Sequence, residues 1–287
     1  MEAWIEIPNG KFLARTVGKE YGNVLLRKEQ YRISDNLDKS NLYARNMILG
    51  KVYNCRWSIE RTLRDHEYRI NAERLKKISL VLKEGYERIY VASHAEAWIE
   101  TDMDKLRGVE GKLAEQYFSV FDELILNQKD EFKFEGRNRR PPLDKVNALL
   151  SLAYTVLAGE CSNALNSVGL DPYVGFMHRD RPARRSLALD LMEEFRAILA
   201  DRFVLTLINT KAIKKEHFQT QKDNAVLLTE QGRKIFFNAW QKHKKEKIIH
   251  PYLKEKIEWG LVPYVQALLL TRTIRGDLEE YPPFFWK

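Results

Sequence analysis

Apolar and polar positions along the chain change rhythm once. From Trp4 to Arg27 they come in short runs: AWIEI, a Pro8-Asn9-Gly10 turn of hairpin type, KFLARTV, and then NVLLR after a further glycine. Alternation bounded by turn residues predicts strands there. From Asn36 onward, apart from the aromatic segment near Tyr86, apolar residues recur every three or four positions. That period predicts helices over Asn41–Arg64, Ala72–Lys83, Lys105–Leu126, Leu143–Asn166, Ser186–Val204, Thr229–Lys245 and Lys254–Ile274. Breaks are expected at Gly85, Pro141-Pro142, Asp171-Pro172, Pro182 and Pro282-Pro283, where helix continuation is disfavoured. The predicted fold is mainly α: a helical domain over residues 36–287, preceded by strand-like material and a linker over residues 1–35.

Two of these helices carry acids in informative places. Leu106, Leu113, Ala114, Tyr117, Phe121 and Leu124 form one apolar stripe, and Glu110 stands in the middle of it. A carboxylate so placed is costly unless it is paired with a cation, neutralised or bound to a metal. Gly108 and Gly111 flank it and would let a backbone or a phosphate come close. In SLALDLMEEFR, Asp190, Glu193 and Glu194 share a side with Ser186 and Ala197, opposite Leu191, Met192, Phe195 and Leu199. Periodicity alone makes that side a solvent-facing polar stripe.

Composition narrows the class. The chain has 287 residues, 44% hydrophobic and 31% charged, enough to bury a substantial core. No apolar run is seen that approaches the ~18 to 20 residues of a membrane span, and Met1 is not followed by a signal-peptide pattern, so a cytoplasmic protein without a membrane partner is expected. Cys55 and Cys161 belong to no CxxC unit and read as small core residues. The formal net charge of +8 comes from bunched cations: Arg137, Arg139 and Arg140; Arg179, Arg181, Arg184 and Arg185; Lys242, Lys244, Lys245 and Lys247. Such runs either bind phosphate backbones or form solvated faces, and charge alone does not decide between them.

The sequence GFMHRDRPARR sets His178 among arginines just before the acidic helix. If Glu110, His178 and Asp190 converge, they form two hard oxygen ligands and an imidazole, a set suited to Mg²⁺ or Mn²⁺ and ill-matched to a closed zinc site. Carboxylates holding a cation inside a basic field are what metal-assisted chemistry on a polyanion requires.

Five segments in order carry a family resemblance: LRGVEGKLAEQYF around Glu110; FEGRNRRPPLDKVNALLSLAY from Phe134 to Tyr154; GFMHRDRPARRSLALDLMEEFR; LTEQGRKIF from Leu228; and IRGDLEEYPPFFWK. Through nearly its whole length the chain resembles the CRISPR-associated integrases of spacer acquisition, the first-numbered CRISPR-associated proteins, most closely the variant of type I-C systems. Ala183-Arg184 stands where the family has glycine and arginine, and Ala197 where proline is usual.

The resemblance implies a catalytic helical domain behind an N-terminal β-domain, of which a truncated form is expected because the chain begins almost at AWIEIPNGKFLAR. It implies a Mg²⁺ or Mn²⁺ held by Glu110, His178 and Asp190, with Glu193 also linked to activity. It further implies a homodimer, double-stranded DNA as substrate and the second-numbered CRISPR-associated protein as partner. The implied reaction is transesterification, in which the 3′-hydroxyl of a short fragment attacks a phosphodiester at a repeat boundary. Arg137, Arg139, Arg140, Arg184 and Arg185 are the candidate phosphate contacts. The alternative is a catalytically weak DNA-binding or assembly fragment of the same complex.

Overall fold

A computed structural model describes residues 4–6, 12–15, 23–94, 103–138 and 140–287, with side chains over 23–91, 103–138 and 140–287. Arg139 lies outside the described residues. The N-terminal hairpin is present: β1 (Trp4–Glu6) pairs antiparallel with β2 (Phe12–Arg15), Ile5 opposite Ala14, with a register shift after Ile5. NVLLR, expected as a strand, instead opens α1 (Val24–Ser34), because the Asn23 side chain accepts the Leu26 N–H at 3.2 Å and caps a helix there. Helical structure therefore begins at Val24, ahead of the expected boundary at Asn36.

The core is built on two long helices. α2 (Leu37–His66) is capped by Asn36, whose side chain accepts the Lys39 N–H, and forms a hairpin with α3 (Ala72–His94). α3 runs straight through Gly85 and Tyr86, where a break was expected. A Cβ at Gly85 would stand 2.6 Å from Leu113 Cδ2, so the glycine serves close helix packing rather than termination. Leu113 belongs to α4 (Met103–Ser119), which packs on both α2 and α3.

The second long helix, α5 (Lys145–Val168), starts at the Asp144 cap and stops at Gly169, whose φ of 88° lies in the left-handed region. By length and composition α5 could cross a membrane, which corrects the expectation that no stretch nears that length. Here it is a core helix, with Val146, Leu149, Leu150, Ala153, Leu157, Cys161 and Leu165 buried. Both cysteines are buried and unbridged, as their sequence context suggested.

The region expected as one helix over 186–204 is interrupted. α6 (Ser186–Glu193) gives way to a π-helical turn, Arg196–Asp201, and then to α7 (Arg202–Asn209). Such wide turns re-aim side chains within a continuous helical path. Downstream, the β3 (Phe218–Thr220) and β4 (Val226–Leu228) hairpin precedes α8 (Glu230–Lys244), which is capped by Thr229. The helix expected from Lys254 begins only at Val262: β5 (Lys247–Ile249) and β6 (Lys256–Glu258) pair first, and Pro263 sits in the first turn of α9 (Val262–Ile274). α5 packs against α6 and α9, and α2 covers the opposite side of α6. One mostly helical core results.

Candidate active site

α6 ends between these layers, so the supposed polar stripe is not exposed: Asp190, Glu193 and Glu194 are all buried. Three buried carboxylates on one short helix need three solutions, and each is different.

Asp190 is held by backbone. The N–H groups of Phe176 and Met177 donate to its Oδ2 at 2.6 and 2.9 Å, and the His178 N–H donates to Oδ1 at 3.0 Å. The His178 ring nitrogen Nδ1 lies 2.5 Å from the same Oδ1. Together these contacts occupy roughly four lone-pair positions, all that a carboxylate offers. Asp190 thus fixes the His178 loop and its ring, leaving Nε2 as the imidazole's other nitrogen. The loop closes this tightly because of Gly175, where a Cβ would stand 2.8 Å from Asp190 Oδ2 and 2.7 Å from Ser186 Cβ.

Glu193 is held by cations. Lys51 of α2 reaches its Oε2 at 2.6 Å, and Arg196 Nη1 reaches Oε1 at 2.9 Å. The Lys51 ammonium also contacts Glu110 Oε1 on α4, and the side-chain exposures of Lys51, Glu110 and Glu193 are 8%, 21% and 6%. Burial alone would raise the Glu193 pKa, but Arg196 and then Lys51 outweigh it and hold the group down at about 2. Burial works against the Lys51 charge in the same way, and Glu193 followed by Glu110 reverses the effect, so its pKa is raised. Arg196 also lies over the Tyr154 ring at 4.3 Å, which fixes the guanidinium from its other side.

Glu194 is held by neutral donors. Tyr281 Oη donates to Oε1, and the Phe284 N–H donates to Oε2 at 2.7 Å, with Gln266 Nε2 at 3.3 Å. With no cation in contact, burial wins over these three bonds and pushes its pKa up to about 8. Gly50 makes room for this arrangement, since a Cβ there would lie 3.0 Å from Glu194 Cβ. Asn54 fastens it: Nδ2 donates to Glu194 O and Phe284 O, and Oδ1 accepts the Trp286 N–H.

A cleft beside α6 is lined by His178, Glu193 and Arg196 and rimmed by Arg140, Arg181 and Arg184. Arg185 lines it as well, and Ala183, where the family has glycine, has φ 62° and so occupies a left-handed position. Arg137 also lines the cleft, but its Nη1 donates to Asn147 Oδ1 at 2.5 Å and its guanidinium lies over Tyr154 at 5.2 Å, so it fastens the loop.

The sequence-derived candidates therefore sort into two groups. Glu110 and Glu193 meet through Lys51, while His178 pairs with Asp190; His178 still faces Glu193 closely enough for its charge to act on that carboxylate. Among the described residues no three His, Cys, Asp or Glu side chains stand together as a ready-made metal-holding group. Lys51 and Arg196 were missed in the sequence. Lys51 lies in the apolar stripe of Ile48, Val52, Cys55 and Ile59, so the argument that singled out Glu110 would have found it.

The family described as CRISPR associated protein Cas1 matches residues 6–242. A CRISPR-associated endonuclease Cas1 from Chlorobaculum tepidum is 46% identical over 279 residues, 97% of this chain and 79% of its own length. Another from Rhodospirillum rubrum is 48% identical over 278 residues, again 97% of this chain and 79% of the relative. Among solved structures, a casposase bound to an integration product shares the fold with a TM-score of 0.77 at 24% identity, covering all of this chain and 79% of that one. A Cas6-RT-Cas1–Cas2 complex chain does so with a TM-score of 0.76 at 23% identity, covering all of this chain and 30% of that one. The motif order, the helical fold and these relatives agree: the chain belongs to the Cas1 family of CRISPR-associated proteins.

Proposed function

We propose that this protein is a metal-dependent DNA endonuclease and integrase that inserts short DNA fragments into a repeat array. The observation that carries the reading is a pair of carboxylates, Glu110 and Glu193, delivered by separate helices to one buried cation beside an arginine-rimmed cleft. That pairing refines the ligand set expected from sequence. The oxygens of Glu110 and Glu193 and the free Nε2 of His178 fit a hard divalent ion, Mg²⁺ or Mn²⁺, whereas Asp190 acts as the residue that orients His178. Bound there, such an ion supplies charge stabilisation at the phosphorus oxygens and the leaving oxygen.

The chain's own residues do the rest. Arg140, Arg181 and Arg184 hold the phosphate backbone, and Arg196 keeps Glu193 ionised. The 3′-hydroxyl of a fragment displaces a 3′-oxygen of the target; one phosphodiester forms as one breaks, and the proton lost by the nucleophile balances the one gained by the leaving group. The relatives' names support nuclease chemistry. The casposase bound to its integration product and the Cas6-RT-Cas1–Cas2 complex support integration and a Cas2-type partner; a homodimer acting on double-stranded DNA in the cytoplasm belongs to the same proposal. The second reading, a catalytically weak DNA-binding subunit, draws on the lysine that stands between the carboxylates. Mn²⁺-dependent cleavage and joining of labelled DNA decides between them: activity that is lost in Glu110→Gln while DNA binding is retained supports the enzyme, and no activity above that variant overturns it.

A further inference from the structure

Glu193 and Arg196 line the cleft, and through Lys51 they join Glu110 in one ion cluster of two carboxylates and two cations. Its formal charge is zero as it stands. A divalent ion added to this neutral cluster would face two buried positive charges, and of these Arg196 has a further anion, the buried Asp201 carboxylate, acting on it. One cation must give way, and the two are not equally free to do so.

Arg196 is gripped on both sides: it contacts both oxygens of Glu193, at 2.9 and 3.2 Å, and lies over the Tyr154 ring. Its Nη1 bridges the two carboxylate oxygens while the ring holds the guanidinium plane. Lys51 is a point charge on a flexible stem, and among the described residues its ammonium pairs with the two carboxylates a metal would use. Its position is also set by packing, since the neighbouring Gly50 and Asn54 are locked beneath Glu194 and the 281–286 segment.

Resting on the metal-dependent reading above, we propose that Lys51 is a resident cation of the carboxylate pair: it holds Glu110 and Glu193 together in the metal-free protein, and it and the divalent ion are alternative occupants. Lys51 is thus a positioning residue. It prevents the buried Glu193 and the half-buried Glu110, on different helices, from repelling each other, and it sets a threshold of metal concentration below which the site stays closed by its own ammonium.

The test compares Mn²⁺ binding, by electron paramagnetic resonance of the free ion, to the full chain and its Lys51→Met variant at one pH. Thermal unfolding is followed with chelator and with Mn²⁺. The expected result is binding at least about tenfold tighter in Lys51→Met, with a melting temperature that falls in chelator and is largely restored by Mn²⁺. An ordinary structural ion pair predicts the opposite: without Lys51 the carboxylates drift apart and Mn²⁺ binds equally or more weakly. That outcome overturns the proposal. If Lys51→Met does not fold, Lys51→Gln carries the same comparison. Failure of both the unaltered chain and Lys51→Met to bind Mn²⁺ would instead overturn the metal-dependent reading itself.

Discussion

Glu193 and Glu194 are neighbours in sequence, both buried at the end of α6, and they have opposite electrostatic fates. Glu193 faces Lys51 and Arg196 and is held at about 2; Glu194 faces a phenol, an amide and a backbone N–H and is pushed to about 8. Depth of burial does not separate them. What separates them is the formal charge of their partners, because dipoles alone do not repay the loss of water around a carboxylate here, while two cations do. One helix end thus has an ionised side directed at the cleft and a neutral side directed at the core.

The sharpest way to break this contrast is to remove one charge at a time. Glu193→Gln should lower Mn²⁺-dependent cleavage by about 100-fold or more and cost about 3 kcal/mol of stability, because Lys51 and Arg196 lose their shared partner. Glu194→Gln should leave cleavage within about threefold, since it removes no charge used at the cleft. Equal losses of cleavage in both variants would show that the two sides are not separate.

Asp190 supplies the next largest effect. Asp190→Ala deprives three backbone N–H groups of their acceptor and should cost about 2 to 4 kcal/mol, read by urea unfolding, with loss of activity following from a displaced His178. A variant with unchanged stability would mean that the loop closes without it.

Dependence on pH distinguishes the two glutamates more finely. For Glu194, raised from 4.5 to about 8, the folded state keeps a proton that the unfolded chain has released. Its stability contribution is complete below the unfolded value and is lost as pH rises toward 8, by up to about 1.4 kcal/mol per unit. Glu193 runs the other way: its contribution is present above 4.5 and is lost as pH falls toward about 2. Unfolding measured from about pH 4.5 to about 8 should therefore show a decline across that interval that Glu194→Gln flattens. A decline of the same steepness in that variant would assign it to another group.

The smallest effect concerns the rim. Replacing Arg140 and Arg184 together with alanine should reduce the salt slope of DNA affinity by about two units, measured by anisotropy titrations, without changing Mn²⁺ binding. An unchanged slope would place both outside the DNA contact.

Legibility in the sequence followed how local each cause was. Glu110 was visible because its own helix surrounds it with Leu106, Leu113 and Tyr117. The hairpin of β1 and β2 and most helix bodies were visible for the same reason. NVLLR was misread since a short apolar run suits strand or helix equally, and the Asn23 cap decides. The burial of α6 was hidden because α2 and the 281–286 segment, both remote in sequence, cover the side that its own periodicity marks as polar. Lys51 was legible on the same ground as Glu110, since it shares the apolar side of its helix with Ile48, Val52 and Cys55, all of them buried.

The covering of Glu194 by Phe284 also has a temporal side. The two residues are 90 positions apart, and Phe284 is the later one made. Chains are synthesised from the N-terminus and fold as they emerge. When α2 and α6 have emerged, Glu194 still lacks its phenol and its backbone N–H. The buried end of α6 is completed only when residues 281–286 leave the ribosome, so the burial of Glu194 is timed by translation itself.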